Sequence, residues 1–209
     1  MSDPAPETYR TLAGRGEAAF EVHGSEFIGH AAPASDVEGA EAFVASVEAE
    51  YDDATHNVPA YRVREGDSTL GSGMLREYSS DDGEPSGSAG KPTLNVLQGQ
   101  ELENVVVVVT RYYGGTNLGV GGLVRAYSRA AKEAVADAGS VEEEPHESLS
   151  VVAAYDDSGT VRGIIESTGY EFEATYEDVV RFEVRAPVAE SDGLRDRLRS
   201  ATSGRADVS

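Results

Sequence analysis

Cysteine and tryptophan are absent from this 209-residue chain, methionine occurs twice, and the only lysines are Lys91 and Lys132. The missing cysteines exclude a disulfide framework, thiol catalysis and a Cys-ligated zinc site. No apolar run reaches the ~18 residues of a membrane-spanning helix, so no membrane partner is expected. Met1 to Glu7 is polar and acidic and lacks the charged-then-apolar order of a signal peptide. A soluble cytoplasmic protein is the plain expectation. There is also no Gly-x-Ser-x-Gly elbow and no His-Glu-x-x-His pair, which removes two common hydrolase signatures.

Bases are scarce as a class. Asp and Glu number 38 against 17 Lys and Arg, a formal net charge of −21. Self-repulsion of that size opposes the compact state and is tolerated where salt screens it. At about 1 M salt the Debye length falls to roughly 3 Å. The acid excess with almost no lysine points to an organism that keeps molar salt in its cytoplasm. The few bases are unevenly placed. From Pro85 to Lys132 the chain carries Lys91, Arg111, Arg125, Arg129 and Lys132 against Glu101 and Glu103, a net of +3 that leaves −24 elsewhere. Such an island either faces an anionic partner or is spent in internal ion pairs.

Glycine is plentiful, and five glycines fall between Gly114 and Gly122. Residues 110–127 read Thr-Arg-Tyr-Tyr-Gly-Gly-Thr-Asn-Leu-Gly-Val-Gly-Gly-Leu-Val-Arg-Ala-Tyr, and Val105 to Val109 lead straight into them. A continuous β-branched run indicates a strand covered on both faces. The glycines allow positive φ or the close approach of a backbone or a ligand. The helix that follows presents N–H groups that favour an anion. The familiar nucleotide motifs fail, because no Lys follows these glycines as a Walker loop needs, and Val124 stands where a dinucleotide fingerprint from Gly119 requires glycine. Two readings remain: tight strand-to-helix packing alone, or a binding surface for a larger partner.

The same stretch resembles the signature of the YigZ/IMPACT family. A second matching segment is Asp81-Asp82-Gly83-Glu84-Pro85-Ser86-Gly87-Ser88-Ala89-Gly90-Lys91-Pro92, and a weaker one is Ala54-Thr55-His56-Asn57-Val58-Pro59-Ala60-Tyr61. Ser25-Glu26-Phe27-Ile28 is similar to the family's opening strand. The match spans roughly 15–138, with a family-like domain at 148–209. The chain departs from the usual pattern at Glu26, where a base is common, at Val58 for Cys, at Ser88 for Thr and at Asn117 for Lys. The resemblance implies an α+β protein of two domains. The first would be a ribosomal-protein-like β-α sandwich, as in domain IV of elongation factor G, and the second ferredoxin-like. It also implies a link to translation, since the eukaryotic relatives act on translational control by binding the ribosome-associated activator of a starvation-responsive initiation-factor kinase. Their partner-binding domain precedes the shared region and is absent from this chain.

Along the chain, residues 1–14 read as a frayed end, and Ala18–Val22 and Glu26–Ala31 as paired strands. Ser35 and Glu38 form a capping box before a helix carrying Val37, Ala40, Phe43, Val44, Val47 and Tyr51. A strand at Val58–Arg64, a loop at Gly71–Gly90 and a short helix from Pro92 to about Gln100 follow. The helix after the glycine loop should run to Asp137, close at Gly139, and bury Leu123, Tyr127, Ala130, Ala134 and Ala138. Residues 139–147 read as a linker. Beyond it strand, helix, strand, strand, helix and a short last strand give the split ferredoxin-like order.

The candidate site is the conjunction of the two glycine-bearing segments. The first contributes Asp82, Glu84, Ser86, Gly87 and Lys91. The second contributes Arg111, Tyr112, Gly114, Gly115, Gly119, Gly121, Gly122 and Arg125, with Arg129 one turn on. Arg125, Arg129 and Lys132, with Arg111 and Lys91, should carry any anion recognition. Tyr112 and Tyr113 either stack on bases or pack internally. Asp81, Asp82 and Glu84 gather three carboxylates, but Gly87, Ala89 and Lys91 fall where a calcium loop wants ligands. A turn is the better reading, and no metal or other cofactor is expected. His56 lies near Asp52 and Asp53 without a recognisable nucleophile, so a histidine bonded to backbone is the commoner state. The leading expectation is a non-enzymatic protein that contacts RNA, the ribosome or a translation-associated protein. The alternative is a small-molecule or phosphoester enzyme using the same cleft, which would need a deep pocket with converging polar groups.

Overall fold

In the computed structural model, which describes residues 8–65 and 74–209, the chain divides into two compact units. The N-terminal unit runs Tyr9–Leu12 (β1), Gly16–Val22 (β2), Ser25–Pro33 (β3), Val37–Glu50 (α1), His56–Glu65 (β4) and Met74–Ser79 (β5). It continues through Gly90–Gly99 (α2), Val105–Tyr112 (β6), Gly119–Ala138 (α3) and Ser140–Glu143 (β7). Five strands form one antiparallel sheet in the order β2-β3-β6-β4-β5, with the valine strand in the middle.

Both faces of that sheet are covered, which is why the valine run does not alternate with polar residues. Val105, Val107 and Val109 join a core with Phe27, Val58, Leu97, Leu123 and Tyr127 under α2 and α3. Val106 faces the other way, into a smaller core with Tyr61, Val63 and Ala40 under α1. Each fully buried valine contributes about 1.5–3 kcal/mol relative to exposure. The alanine stripe of α3 lets that helix lie close to the sheet: a Cβ on Gly29 would stand 2.4 Å from the Ala130 carbonyl oxygen. All five residues expected for the stripe are buried, and Gly139 closes the helix with φ 70°.

The C-terminal unit runs His146–Ala153 (β8), Tyr155–Thr168 (α4), Phe172–Tyr176 (β9), Val180–Pro187 (β10), Val188–Ala201 (α5) and Asp207–Val208 (β11). Its antiparallel sheet has the order β11-β8-β10-β9, the ferredoxin-like arrangement. Alternate residues of β10, Val180, Phe182, Val184 and Ala186, fill a core with Leu149, Val151, Ile165 and Leu198. Ion pairs tie distant positions of the unit together, Arg195 to Glu147 at 2.9 Å and Arg205 to Asp157 at 2.7 Å.

Four expectations need correction. Residues 9–12 are not frayed and 140–143 are not linker, because β1 and β7 pair as an antiparallel ribbon from Tyr9↔Glu143 to Leu12↔Ser140. Residues 1–7 lie outside the described residues. Within the expected loop at 71–90, Met74–Ser79 pairs with β4 as an edge strand, while Gly71–Gly73 lie outside the described residues. Asp36 rather than Ser35 caps α1, its Oδ1 accepting from the Gly39 N–H at 2.7 Å. Helix α3 begins at Gly119, so Gly121 and Gly122 lie inside its first turns.

Candidate functional site

Arg111, near the end of β6, and Glu84, in the turn before α2, join the two glycine-bearing segments. Their side chains are 5% and 4% exposed, and the guanidinium Nη1 donates to Glu84 Oε1 at 2.5 Å. The Tyr127 hydroxyl, from α3, donates to the same oxygen at 2.8 Å. Burial first, and then this bond to a carboxylate, push the Tyr127 phenol far above its ordinary range. Arg111 Nη2 reaches Ser25 Oγ at 3.3 Å, and its guanidinium lies between the rings of Phe27 and Tyr113, 5.4 and 5.3 Å from their centroids. A buried charge pair with these partners ties β3, β6, α3 and the turn into one node.

The turn is held by its own acids. Asp81 accepts from the backbone N–H groups of Gly87, Ala89 and Gly90 at 2.7, 3.1 and 2.8 Å. Burial works against its charged form, but these three donors outweigh it and hold the carboxyl below its usual range. The start of α2 thus receives its anion from within the chain. Asp82 Oδ2 accepts from the Asn57 N–H at 2.6 Å, and its carbonyl oxygen accepts from His56 Nδ1 at 2.6 Å. That bond fixes the ring and leaves Nε2 facing Glu84, 3.9 Å from Oε1. The three carboxylates of this turn are therefore engaged with three different sets of donors.

The glycine loop crosses close to the β2–β3 turn. A Cβ on Gly114 would lie 1.9 Å from the Gly24 carbonyl, so only glycine fits, while Gly115 is required by its φ of 84°. Ser25 Oγ accepts from the Gly114 N–H at 3.1 Å, and Thr55 Oγ1 from the Tyr113 N–H at 2.9 Å. Between loop and turn lies a cleft of about 320 Å³, lined by Thr55, His56, Glu84 and Arg111 together with Tyr113, Asn117, Gly119 and Val120. The tyrosines divide their roles: the Tyr112 hydroxyl donates to Asp53 Oδ1 at 2.6 Å, while Tyr113 is 44% exposed and donates to Asn117. The bond to Asp53 is the first cause pushing the Tyr112 phenol up to about 12.

The expected basic stripe is split by the fold. Arg111 is interior and neutralised by Glu84, so it does not stand with Arg125, Arg129 and Lys132. The reason is its position on a strand buried on both faces. Arg129 lies 4.0 Å over the Phe20 ring and pairs with Glu133 at 2.7 Å. Arg125 and Lys132 are exposed without an ion pair among the described residues, and with Ser128 and Arg129 they border an open groove of about 360 Å³ on α3. Lys91 is exposed at the start of α2, and Asp82, Ser86 and Gly87 are exposed on the turn before it. Of the α3 glycines, Gly119 (φ 68°) is exposed at the helix start, whereas Cβ atoms on Gly121 and Gly122 would meet only the Arg125 and Leu118 side chains.

Sequence reasoning missed Ser25, Thr55 and the hydroxyl of Tyr127. The last had a signal: a tyrosine in an otherwise aliphatic buried stripe needs a hydrogen-bond partner. Nothing in the local pattern marks Ser25 or Thr55, because their bonds run to residues more than fifty positions away.

The family profile of the Impact N-terminal domain matches residues 23–135, and that of a domain of unknown function (DUF1949) matches residues 151–205. IMPACT family member YvyE of Bacillus subtilis (strain 168) is 32% identical over 202 residues, covering 96% of this chain and 90% of its own. IMPACT family member YigZ of Escherichia coli (strain K12) is 34% identical, with 88% of each chain covered. A crystal structure described as that of a hypothetical protein superposes with a TM-score of 0.74 at 30% identity, over 97% of this chain and 96% of the other. The glycine loop, the acidic turn and the buried pair that joins them all fall within the matched N-terminal region, and the chain belongs to the IMPACT family.

Proposed function

We propose that this chain is a non-enzymatic, cytoplasmic regulatory protein linked to translation, which docks on RNA or the ribosome through the solvent face of α3. The carrying observation is the groove bordered by Arg125, Ser128, Arg129 and Lys132, where two cations lack ion pairs among the described residues of a chain with net charge −21. Unpaired cations kept together in so acidic a protein favour an anionic partner. Arginine suits that task where salt screens long-range attraction, because it can bond a phosphate with two parallel donors. The link to translation comes from the translational control exerted by the eukaryotic relatives. The cleft supports a non-catalytic reading: the Tyr113 hydroxyl donates to Asn117, and among the described residues neither it nor the Thr55 hydroxyl is hydrogen-bonded to His56 as a nucleophile to its base.

The test is association with RNA and with ribosomes for wild type and the Arg125→Gln, Arg129→Gln double variant across a salt series. Wild-type affinity should fall as salt rises, and the variant should bind at least about tenfold more weakly with a shallower salt slope. No binding at the lowest salt that keeps the chain folded would remove the RNA reading. A protein that co-purifies with wild type but not with the variant would move the role to protein docking.

A further inference from the structure

We infer that the cleft between the acidic turn and the glycine loop is a separate binding site for a small phosphate-bearing ligand. Its end wall is the start of α3, a 20-residue helix whose Leu118 N-cap makes no side-chain hydrogen bond. The first N–H groups of such a helix have no partner within it and attract an anion. The contrast with α2 is informative, since there Asp81 fills the equivalent position with its own carboxylate. The second observation is Arg111, which lines the cleft with a side chain 5% exposed and an Nε–H that finds no acceptor. A buried donor left open in this way is costly unless something else satisfies it.

The other polar groups of the cleft come from separate segments. His56 is oriented by the Asp82 carbonyl so that Nε2 faces the cleft side of Glu84, and the charge of Glu84 is already taken up by Arg111 and Tyr127. Thr55 adds a hydroxyl and Asn117 an amide. Several separate donors, the α3 N–H groups, the Arg111 Nε–H, a hydroxyl and an amide, suit a tetrahedral group with three or four acceptor oxygens better than a planar carboxylate. Tyr113, 44% exposed, lines the same cleft with its ring 5.3 Å from the Arg111 guanidinium. A volume of about 320 Å³ falls at the low end of the range of small-ligand sites.

The test uses the full chain, labelled with ¹⁵N and titrated at constant ionic strength with inorganic phosphate and, separately, acetate. Phosphate should shift the amides of Gly119, Val120 and Gly121 and the Arg111 Nε–H saturably, leaving those of Ser128 and Lys132 unmoved. His56→Gln should weaken binding about tenfold, and the exposed Asn117→Lys should tighten it severalfold by adding a cation. Unsaturated shifts, shifts spread over the whole chain, or equal affinity in wild type and both variants would overturn the site. Saturation by acetate and not by phosphate would overturn the ligand class. No RNA enters this measurement, so its failure leaves the α3 docking surface standing, and loss of RNA binding leaves this site standing.

Discussion

At the scale of single residues, the buried pair of Arg111 and Glu84 is the most exposed to attack by mutation. Each group was removed from water, and each is satisfied mainly by the other. Removing one partner of such a pair leaves an uncompensated charge and costs about 3–5 kcal/mol. Glu84→Gln should therefore destabilise the chain by that amount in denaturant melts. Adding Arg111→Met should recover part of the loss, since the unpaired charge is then gone. A Glu84→Gln loss under about 1 kcal/mol would mean the pair is solvated and not structural. Asp81 offers a pH test with a definite sign. Its folded pKa is depressed, so the stability it contributes is present above the unfolded value near ~4 and is lost as pH falls through the lower folded value. Asp81→Asn should cost about 1–2 kcal/mol at neutral pH, as loss of a cap does, and the gap to wild type should close in acid.

At the scale of elements, the five glycines of the signature are not equivalent. Gly114 sits where any Cβ collides with the Gly24 backbone, whereas Gly121 is inside α3, where a Cβ meets only the tip of Arg125 at 3.5 Å. Gly114→Ala should destabilise by about 1–3 kcal/mol through overpacking. Gly121→Ala should be neutral or stabilising by up to about 1 kcal/mol, because alanine is the better helix former. Thermal melts of the two single variants decide this, and equal losses would contradict the assigned helix start. The strand, the loop and the α3 stripe were legible because each has a local signature: a β-branched run, clustered glycines and a 3.6-residue period. The ribbon of β1 and β7 was not. Its strands are four residues each, and their partners lie more than a hundred positions apart, so neither reads as structure alone. Edge strand β5 was hidden for a similar reason: its buried and exposed residues do not alternate, since Met74, Arg76, Glu77 and Tyr78 are all exposed. In the site, residue types were legible but not their pairing. Arg111 reads as a surface base until β6 is known to be buried along its length.

At the scale of the whole molecule, the acid excess sets the conditions under which the fold holds. A net charge of −21 gives strong mutual repulsion among surface carboxylates, and only screening relieves it. The melting temperature should rise markedly between about 0.1 M and about 3 M potassium chloride, over which the Debye length contracts severalfold. Circular dichroism melts across that range are the check. An unchanged melting temperature would defeat the proposal that the chain is adapted to a salt-rich cytoplasm.

The strand order β2-β3-β6-β4-β5 has a consequence for how the chain reaches this state. Two hairpins, β2–β3 and β4–β5, come from neighbouring segments and are joined only when β6 slides between them. Until residues 105–112 have been synthesised, each hairpin has an open inner edge. Pairing across some eighty positions makes that insertion slow relative to the local steps. During the wait, five adjacent valines form a segment with high self-association tendency and no charge of its own. Glu101 and Glu103 before it and Arg111 near its end act as gatekeepers against aggregation. Arg111 thus serves twice, as a deterrent to chain-to-chain pairing on the way in and as the buried cation of the node once β6 is home.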